Sequence, residues 1–307
     1  MRKIILTAFS LLLVSGAFAQ SYSLASGSIE RNPADMALAS SAVASDRDIS
    51  FAALRNAAVL PFSECKADVS AAYAPWAPSS DGYKFINLGA GFNFKQRWGF
   101  SVAGSYGIGP SYDVIDDYGC SQGTFGTSSM LLAVGVGCKI TDYLSLGADF
   151  KYASEKLSAE DGTKGAFNAD VFILGRVAGV NITAGVSTLG PRIIASSGES
   201  FSLPASAMLG VYYPWKIAPT HILSISADGN YYFKGGANAA AGVQYCWNDL
   251  LSVRAGYHFG SGKAPVGSYA SVGLGVRIVK GLHLDAAYLL GNATLKNTFS
   301  AGLGYRF

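Results

Sequence analysis

Charge is scarce in this chain. Lys, Arg, Asp and Glu make up 14% of its 307 residues, well below the roughly 25% of an ordinary soluble domain. What charge there is nearly cancels. There are 23 basic residues against 20 acidic ones, and setting aside Arg2 and Lys3 with the leader described below leaves 21 against 20. That balance gives no reason to expect a nucleic acid or an acidic ligand. After the leader there is no apolar run of the roughly 20 residues that a helix needs to cross a bilayer. Cysteine and histidine are few. Cys65, Cys120, Cys138 and Cys246 show no C-x-x-C or zinc spacing; in an oxidising compartment they allow three disulfide connectivities or remain free thiols. His221, His258 and His283 are scattered, and neither a G-x-S-x-G elbow nor a Gly-rich phosphate loop occurs. The chain therefore reads as a non-enzyme, with no metal and no cofactor expected.

The first residues read as a secretory signal. Arg2 and Lys3 precede an apolar core over residues 4–14, and Ala17-Phe18-Ala19 is a small-x-small cleavage site. No cysteine follows that site, so a lipoprotein is not expected. What the rest of the chain has in quantity is glycine and aromatics: 37 Gly, 17 Tyr and 17 Phe. Low charge, many glycines and many aromatics, without long apolar runs, suit a transmembrane β-barrel.

The periodicity agrees. Fourteen segments read as strands: 67–75, 85–95, 98–107, 128–139, 143–153, 167–177, 179–188, 205–215, 221–232, 237–247, 249–259, 268–279, 281–290 and 297–307. Each has about 9–12 residues, enough for a tilted strand to span a bilayer. Ile86, Leu88, Ala90, Phe92 and Phe94 alternate with Asn87, Gly89, Gly91 and Asn93, so one face is apolar and the other small or polar. The last segment repeats the pattern with Phe299, Ala301, Leu303, Tyr305 and Phe307. Short turns follow the even-numbered segments and most long loops follow the odd-numbered ones. That is the outer-membrane arrangement, with short turns periplasmic. Acids in the predicted loop 108–127 (Asp113, Asp116, Asp117) lack the spacing of a calcium loop and read as solvated.

Before the first strand two short helices are predicted. Asn32 caps Pro33 and a run of small residues over 34–44; Phe51, Leu54 and Ala58 share a helical face that Pro61 ends. They would plug a barrel lumen or lie at its periplasmic mouth. The expected fold is all-β: a transmembrane antiparallel β-barrel of about 14 strands with a short N-terminal helical plug segment. Residues 1–19 would be the signal, 20–66 the plug and 67–307 the barrel. The expected location is the outer membrane, with lipid around the wall.

Residues 36–76 resemble a known signature. Ala37, Leu38, Val43, Asp46, Phe51, Asn56 and Pro61, followed by Tyr73 and Trp76, resemble the N-terminal segment of the PorV/PorQ family. That family belongs to the FadL-like fourteen-stranded outer-membrane barrels of Bacteroidetes. Leu203-Pro204 before Leu209-Gly210-Val211-Tyr212-Tyr213 is a second likeness. The resemblance implies a scaffold or shuttle in type IX secretion, with secreted proteins bearing C-terminal sorting domains, or attachment-complex proteins, as partners. A FadL-like transporter of hydrophobic small molecules is the alternative, and a passive aqueous pore a third reading. The chain departs from the family at two places. Ala39-Ser40 replaces a glycine pair and Asn56-Ala57-Ala58 replaces Asn-Pro-Ala. Without the glycines, positive φ is disfavoured there.

Polar positions on the strands place Asp149, Lys151, Arg176, Asp228, Arg254, His258, Arg277, His283, Asp285 and Arg306 toward the lumen. They would form an internal network of salt bridges and hydrogen bonds, or line a transport path.

Overall fold

Alternating strands can close into a cylinder only if every apolar set turns to the same side. The computed structural model describes residues 24–307 except 81, 117, 195–197, 280 and 292–293, so the expected signal lies outside the described residues. The strands are β1 (Ala67–Pro75), β2 (Lys84–Phe94), β3 (Trp98–Ile115), β4 (Ser121–Thr141), β5 (Leu144–Ser158), β6 (Gly162–Val177) and β7 (Val180–Leu189). A two-stranded hairpin, β8 (Ile193–Ile194) and β9 (Ser200–Phe201), interrupts the series. It resumes with β10 (Ser206–Ala218), β11 (His221–Tyr232), β12 (Ala237–Trp247), β13 (Leu251–Gly260), β14 (Tyr269–Val279), β15 (Leu282–Leu290) and β16 (Phe299–Arg306). All but β8 and β9 form one closed antiparallel barrel of fourteen strands, as the alternation predicted. β1 closes it against β16, with Asp68 opposite Arg306 and Tyr73 opposite Ala301.

The apolar sets face outward. Ile86, Leu88, Phe92 and Phe94 are 45–60% exposed, whereas Asn87 between them is fully buried. Trp98, Trp215, Trp247 and Tyr305 stand at the short-turn end of this outer face and Tyr73, Tyr106, Tyr231 and Phe299 at the other. Aromatic side chains at both edges of an apolar band are what two membrane interfaces require. Among the described residues no helix is long and apolar enough to cross a membrane; the crossing elements are strands.

Two predicted loops are mostly strand. Residues 108–127 and 154–166 extend β3 through β6 beyond the barrel, so that β3 has 18 residues and β4 has 21. At about 3.3 Å per residue, β3 is about 60 Å long, more than twice the roughly 25 Å apolar band of such a wall. Past the lipid neither face meets an apolar medium, so the alternation that marks a strand is absent there. Ladder bonds and the pair Tyr112–Phe125, with ring centroids 5.3 Å apart, hold the projecting hairpin.

Residues 33–62 fill the lumen, from a first helix packed against Ala74, Phe85 and Leu289 to a turn over Ala57–Phe62 beside Gly99 and Gly137 near the short turns. Helix α1 (Pro33–Ala37) starts as predicted, with Asn32 Oδ1 accepting from the Ala34 N–H at 3.0 Å, but it has only five residues. It stops because Ala39 and Ser40 take φ of 56° and 62°. The left-handed turn expected to be lost with the glycines is therefore kept, at a cost of about 1–2 kcal/mol per residue. Ser40 Oγ meets Tyr269 Oη at 3.0 Å and the Ala39 methyl is fully buried, which holds the turn. Helix α2 (Ala52–Arg55) is also short. Asn56, not Pro61, ends it, and Pro61 sits inside a 3-10 turn over Ala57–Phe62.

The wall meets this segment at glycines. An added Cβ would lie 2.2 Å from the Ala58 nitrogen at Gly147, 2.2 Å from the Ala57 oxygen at Gly137 and 2.5 Å from the Leu38 carbonyl carbon at Gly256. No methyl fits at those distances, and the atoms in the way are backbone. Gly147→Ala is therefore expected to weaken the folded barrel by about 1–3 kcal/mol, seen as heat-induced unfolding on gels at lower temperature. At Gly229 the nearest atom is 4.0 Å away, and Gly229→Ala should unfold with the wild type. Equal loss in both variants would contradict the close packing.

Candidate functional site in the lumen

An irregular segment inside a barrel must have its backbone polar groups satisfied without bulk water. The inward side chains of the wall do this. Asp228 Oδ2 accepts from the Val43 N–H at 2.8 Å, Asn181 Nδ2 donates to the Ala44 carbonyl at 3.0 Å, and Ser271 Oγ donates to the Ala37 carbonyl at 2.9 Å. Ser145 Oγ donates to the Ala58 carbonyl at 2.6 Å, and Ser101 Oγ accepts from the Ala53 N–H at 3.1 Å.

The signature residues of the N-terminal segment sit in this interface. The Ala37 methyl abuts Gly273 and the Leu38 backbone abuts Gly242 and Gly256. Val43 abuts Gly210, Phe51 abuts Gly89, and Pro61 abuts Gly137. Asp46 pairs with Arg176, whose guanidinium also lies 4.5 Å over the Phe62 ring. Asn56 is fully buried. Its Nδ2 donates to the Val43 carbonyl at 2.9 Å and to Thr183 Oγ1 at 3.1 Å, and its Oδ1 accepts from the Ala58 N–H at 2.9 Å.

The charged strand residues do not form one network, because the plug occupies the space between them. In mid-lumen, Lys151 Nζ donates to Asp170 Oδ2 at 2.5 Å and to the Leu54 carbonyl at 2.8 Å, and Asp149 Oδ2 accepts from the Ala57 N–H at 3.2 Å. Near the short turns, Arg254 bonds Gln244 at 2.7 Å and Asp285 at 2.5 Å, and Arg306 joins Asp48 and Asp68. His283 Nε2 lies 3.9 Å from Asp285 and 4.0 Å from Asp68, beyond hydrogen-bond length. Arg277 is at the rim, paired with the exposed Asp249. His258 stands apart, stacked on Tyr269 with centroids 4.9 Å apart. Asp170 and Asp68 were missed by the strand reading, although each sits on an inward position opposite a charged strand. Arg31, Asp35, Asp48 and Arg55 lie on the plug, where no period marks the lumen-facing side.

On the long-loop side of the plug the lumen holds a cavity of about 140 Å³. Its apolar lining includes Trp76, Leu131, Met208, Val266 and Tyr269; its polar lining includes Arg31, Lys151, Asp170, Asp228 and His258. Residues 27–31 cross it. Arg31 is held there by a 2.7 Å bond from Nη2 to the Ser26 carbonyl and by the Phe85 ring 4.0 Å from its Cζ. Burial lowers the Arg31 pKa to about 10, against the pull of Glu30 and Glu155, so the guanidinium stays charged at neutral pH.

The cavity borders a fault in the wall. The β6–β7 ladder shifts register between Ala169 and Val171. Thr188 takes φ 57° and gives its N–H to Asp170 Oδ1 at 2.7 Å. The rung Ser187–Ser206 is the last between β7 and β10, and beyond it the chain leaves into β8 and β9. Asp170, Ser187, Thr188, Pro204 and Ser206 all line the cavity.

The plug's tie to the closing strand has a pH consequence. Burial pushes the Asp48 carboxyl up, but Arg306, Arg254, His283 and Arg55 outweigh it and hold the group well below the usual carboxylate range. A depressed folded pKa gives stability that is present above the unfolded value and lost only when pH falls through the folded one. Wild-type plug docking should thus survive mild acid. Arg306→Gln removes the largest of the charges that oppose burial, and plug amides should lose hydrogen-exchange protection at a higher pH than in the wild type. An unchanged acid profile would contradict this pairing.

No family model and no curated protein matches this chain. Solved structures do. A FadL homologue of Pseudomonas aeruginosa aligns over 94% of this chain and 100% of its own, with 13% identity and a TM-score of 0.55. The Pseudomonas putida toluene transporter TodX aligns over 94% and 99%, with 13% identity and a TM-score of 0.58. The monoaromatic hydrocarbon channel CymD aligns over 90% and 97%, with 10% identity and a TM-score of 0.59. At these identities the likeness is one of fold: this chain has the architecture of FadL-type outer-membrane barrels.

Proposed function

We propose that this chain is an outer-membrane uptake protein for small, largely apolar molecules. Ligand enters the lumen cavity at the faulted β6–β7–β10 wall, not through an open aqueous pore. The observation that carries this reading is the position of the cavity, sealed from the short-turn end by the packed plug yet bordering the interrupted ladder at Asp170, Ser187 and Thr188. Its size is close to that of a cavity of about 150 Å³ able to hold benzene. Phe167, Leu189 and Ile194 are exposed beside the fault and offer an apolar approach from the lipid. The named neighbours of the same architecture include a toluene transporter and a monoaromatic hydrocarbon channel.

The type IX scaffold reading is supported by the signature residues of 36–76, and the packing of those residues onto the wall glycines also gives them a plug-holding role. The two readings separate experimentally. Cells carrying the gene should accumulate radiolabelled monoaromatic compounds faster than cells lacking it, and the purified barrel should give no steady conductance in planar bilayers. A steady open conductance, or equal accumulation in both strains, would sink the uptake reading. Lost surface attachment of sorting-domain proteins in the deletion strain, with unchanged accumulation, would favour the scaffold.

A further inference from the structure

A second, smaller cavity opens at the short-turn mouth, across the plug from the first. It has a volume of about 40 Å³ and lies between Arg47 and Asp48 of the plug and the ends of β12 to β16. The guanidiniums of Arg47, Arg254, Arg277 and Arg306 line it, against the carboxylates of Asp48, Asp249 and Asp285. Three of these arginines are matched one to one: Arg254 with Asp285, Arg277 with Asp249 and Arg306 with Asp48. Arg47 is left over. Its guanidinium meets the Cys246 thiol, and Asp48, its neighbour in the chain, is already spent on Arg306. Asp68 also pairs with Arg306, but it is fully buried and does not line the cavity.

The wall arginines keep donors to spare, and these are open. Arg254 gives Nε to Gln244 and Nη1 to Asp285; Arg306 gives Nε to Asp68 and Nη2 to Asp48. Arg254 Nη2 and Arg306 Nη1 have no protein partner, and neither is among the unpartnered atoms shut off from solvent. The cavity therefore presents guanidinium donors from the plug and from two strands. Its lining has one more base than acid before His283 is counted. Arg47 is half-buried, and a charge taken out of water costs free energy unless it is paired.

The class of occupant follows from charge, shape and room. A guanidinium fork matches the two oxygens of a carboxylate. At roughly 10–15 Å³ for each water-sized atom the cavity takes about three, as many as the carbon and two oxygens of that group. Sulfate is larger and brings a second negative charge, which Asp48, Asp249 and Asp285 oppose. We propose that this cavity binds a small monocarboxylate, held by Arg47 from the plug and by Arg254 and Arg306 from the wall. The bound anion fastens the plug at the short-turn mouth. This site is separate from the cavity assigned to uptake and does not depend on that reading.

The test is hydrogen exchange of the full barrel in detergent, at matched pH and ionic strength, in sodium acetate, sodium chloride and sodium sulfate. Amides of residues 44–50 should exchange about tenfold more slowly in about 0.1 M acetate than in chloride. That is the factor 1 + [L]/Kd for a Kd of about 10 mM. Residues 121–127, in the projecting hairpin, should exchange alike in all three salts. In Arg47→Gln, which breaks no ion pair with a carboxylate, the acetate effect should vanish. Because the comparison of salts is made on the wild type, a variant that fails to fold does not remove the test. Equal exchange in acetate and chloride would overturn the site. Equal slowing by sulfate would overturn a monocarboxylate as its occupant. Slowing that persists in Arg47→Gln, or that extends to 121–127, would overturn the binding mode, since neither needs an anion on Arg47.

Discussion

The structure depends on the direct contact between the N-terminal segment and the bare backbone of the wall. Residues 38–50 form no regular element apart from turns, so their N–H and C=O groups need partners from elsewhere. A buried polar group left without one costs about 1–3 kcal/mol. Inward Ser, Asn and Asp side chains supply those partners, and glycines between them let the segment come close enough to be reached. Neither part works alone. A methyl at Gly147 or Gly137 would push the segment away from Ser145 and Asp149, and a wall of glycine without those side chains would leave the segment's backbone unpaired.

The same contact divides the lumen into chemically different spaces. On the β6 side of the 3-10 turn the interior is apolar. Phe172 and Leu174 of β6 turn inward there and pack with Val43, Ile49, Val59 and Leu60. Toward the short turns the ionic group of Asp48, Asp68, Arg254, Asp285 and Arg306 ties the plug to the closing strand. Beyond the plug on the other side lies the cavity with its mixed polar and apolar lining. The polar-inside rule for barrels thus holds only where the plug does not supply an apolar partner. The faulted wall adjoins the mixed space and not the ionic one, so the plug can seal one end of the lumen while the cavity keeps its border with the outer surface.

The sequence by itself determined the barrel. Side chains alternate with a period of two, so residues such as Ile86 and Leu88 had to share the lipid face, and Asn87 had to face in, whatever the rest of the chain did. That period fades in the hairpins that extend β3 to β6 past the lipid, because there no environment enforces it. Asp228 and His258 face the lumen for the same reason as Asn87, since each holds a polar position on a strand.

Tertiary structure decided what those positions do. Arg31 and Asp48 carry no periodic mark, and only the path of residues 24–66 through the barrel brings one to the cavity and the other to Arg306. The left-handed turn at Ala39 and Ser40 runs against their own preference and exists because buried contacts outweigh the local cost. Local pattern specifies which face a strand residue takes, because that depends only on its neighbours in the chain. Which groups end up sharing a cavity depends on how the ends of the chain are threaded through the closed sheet, and no local period encodes that.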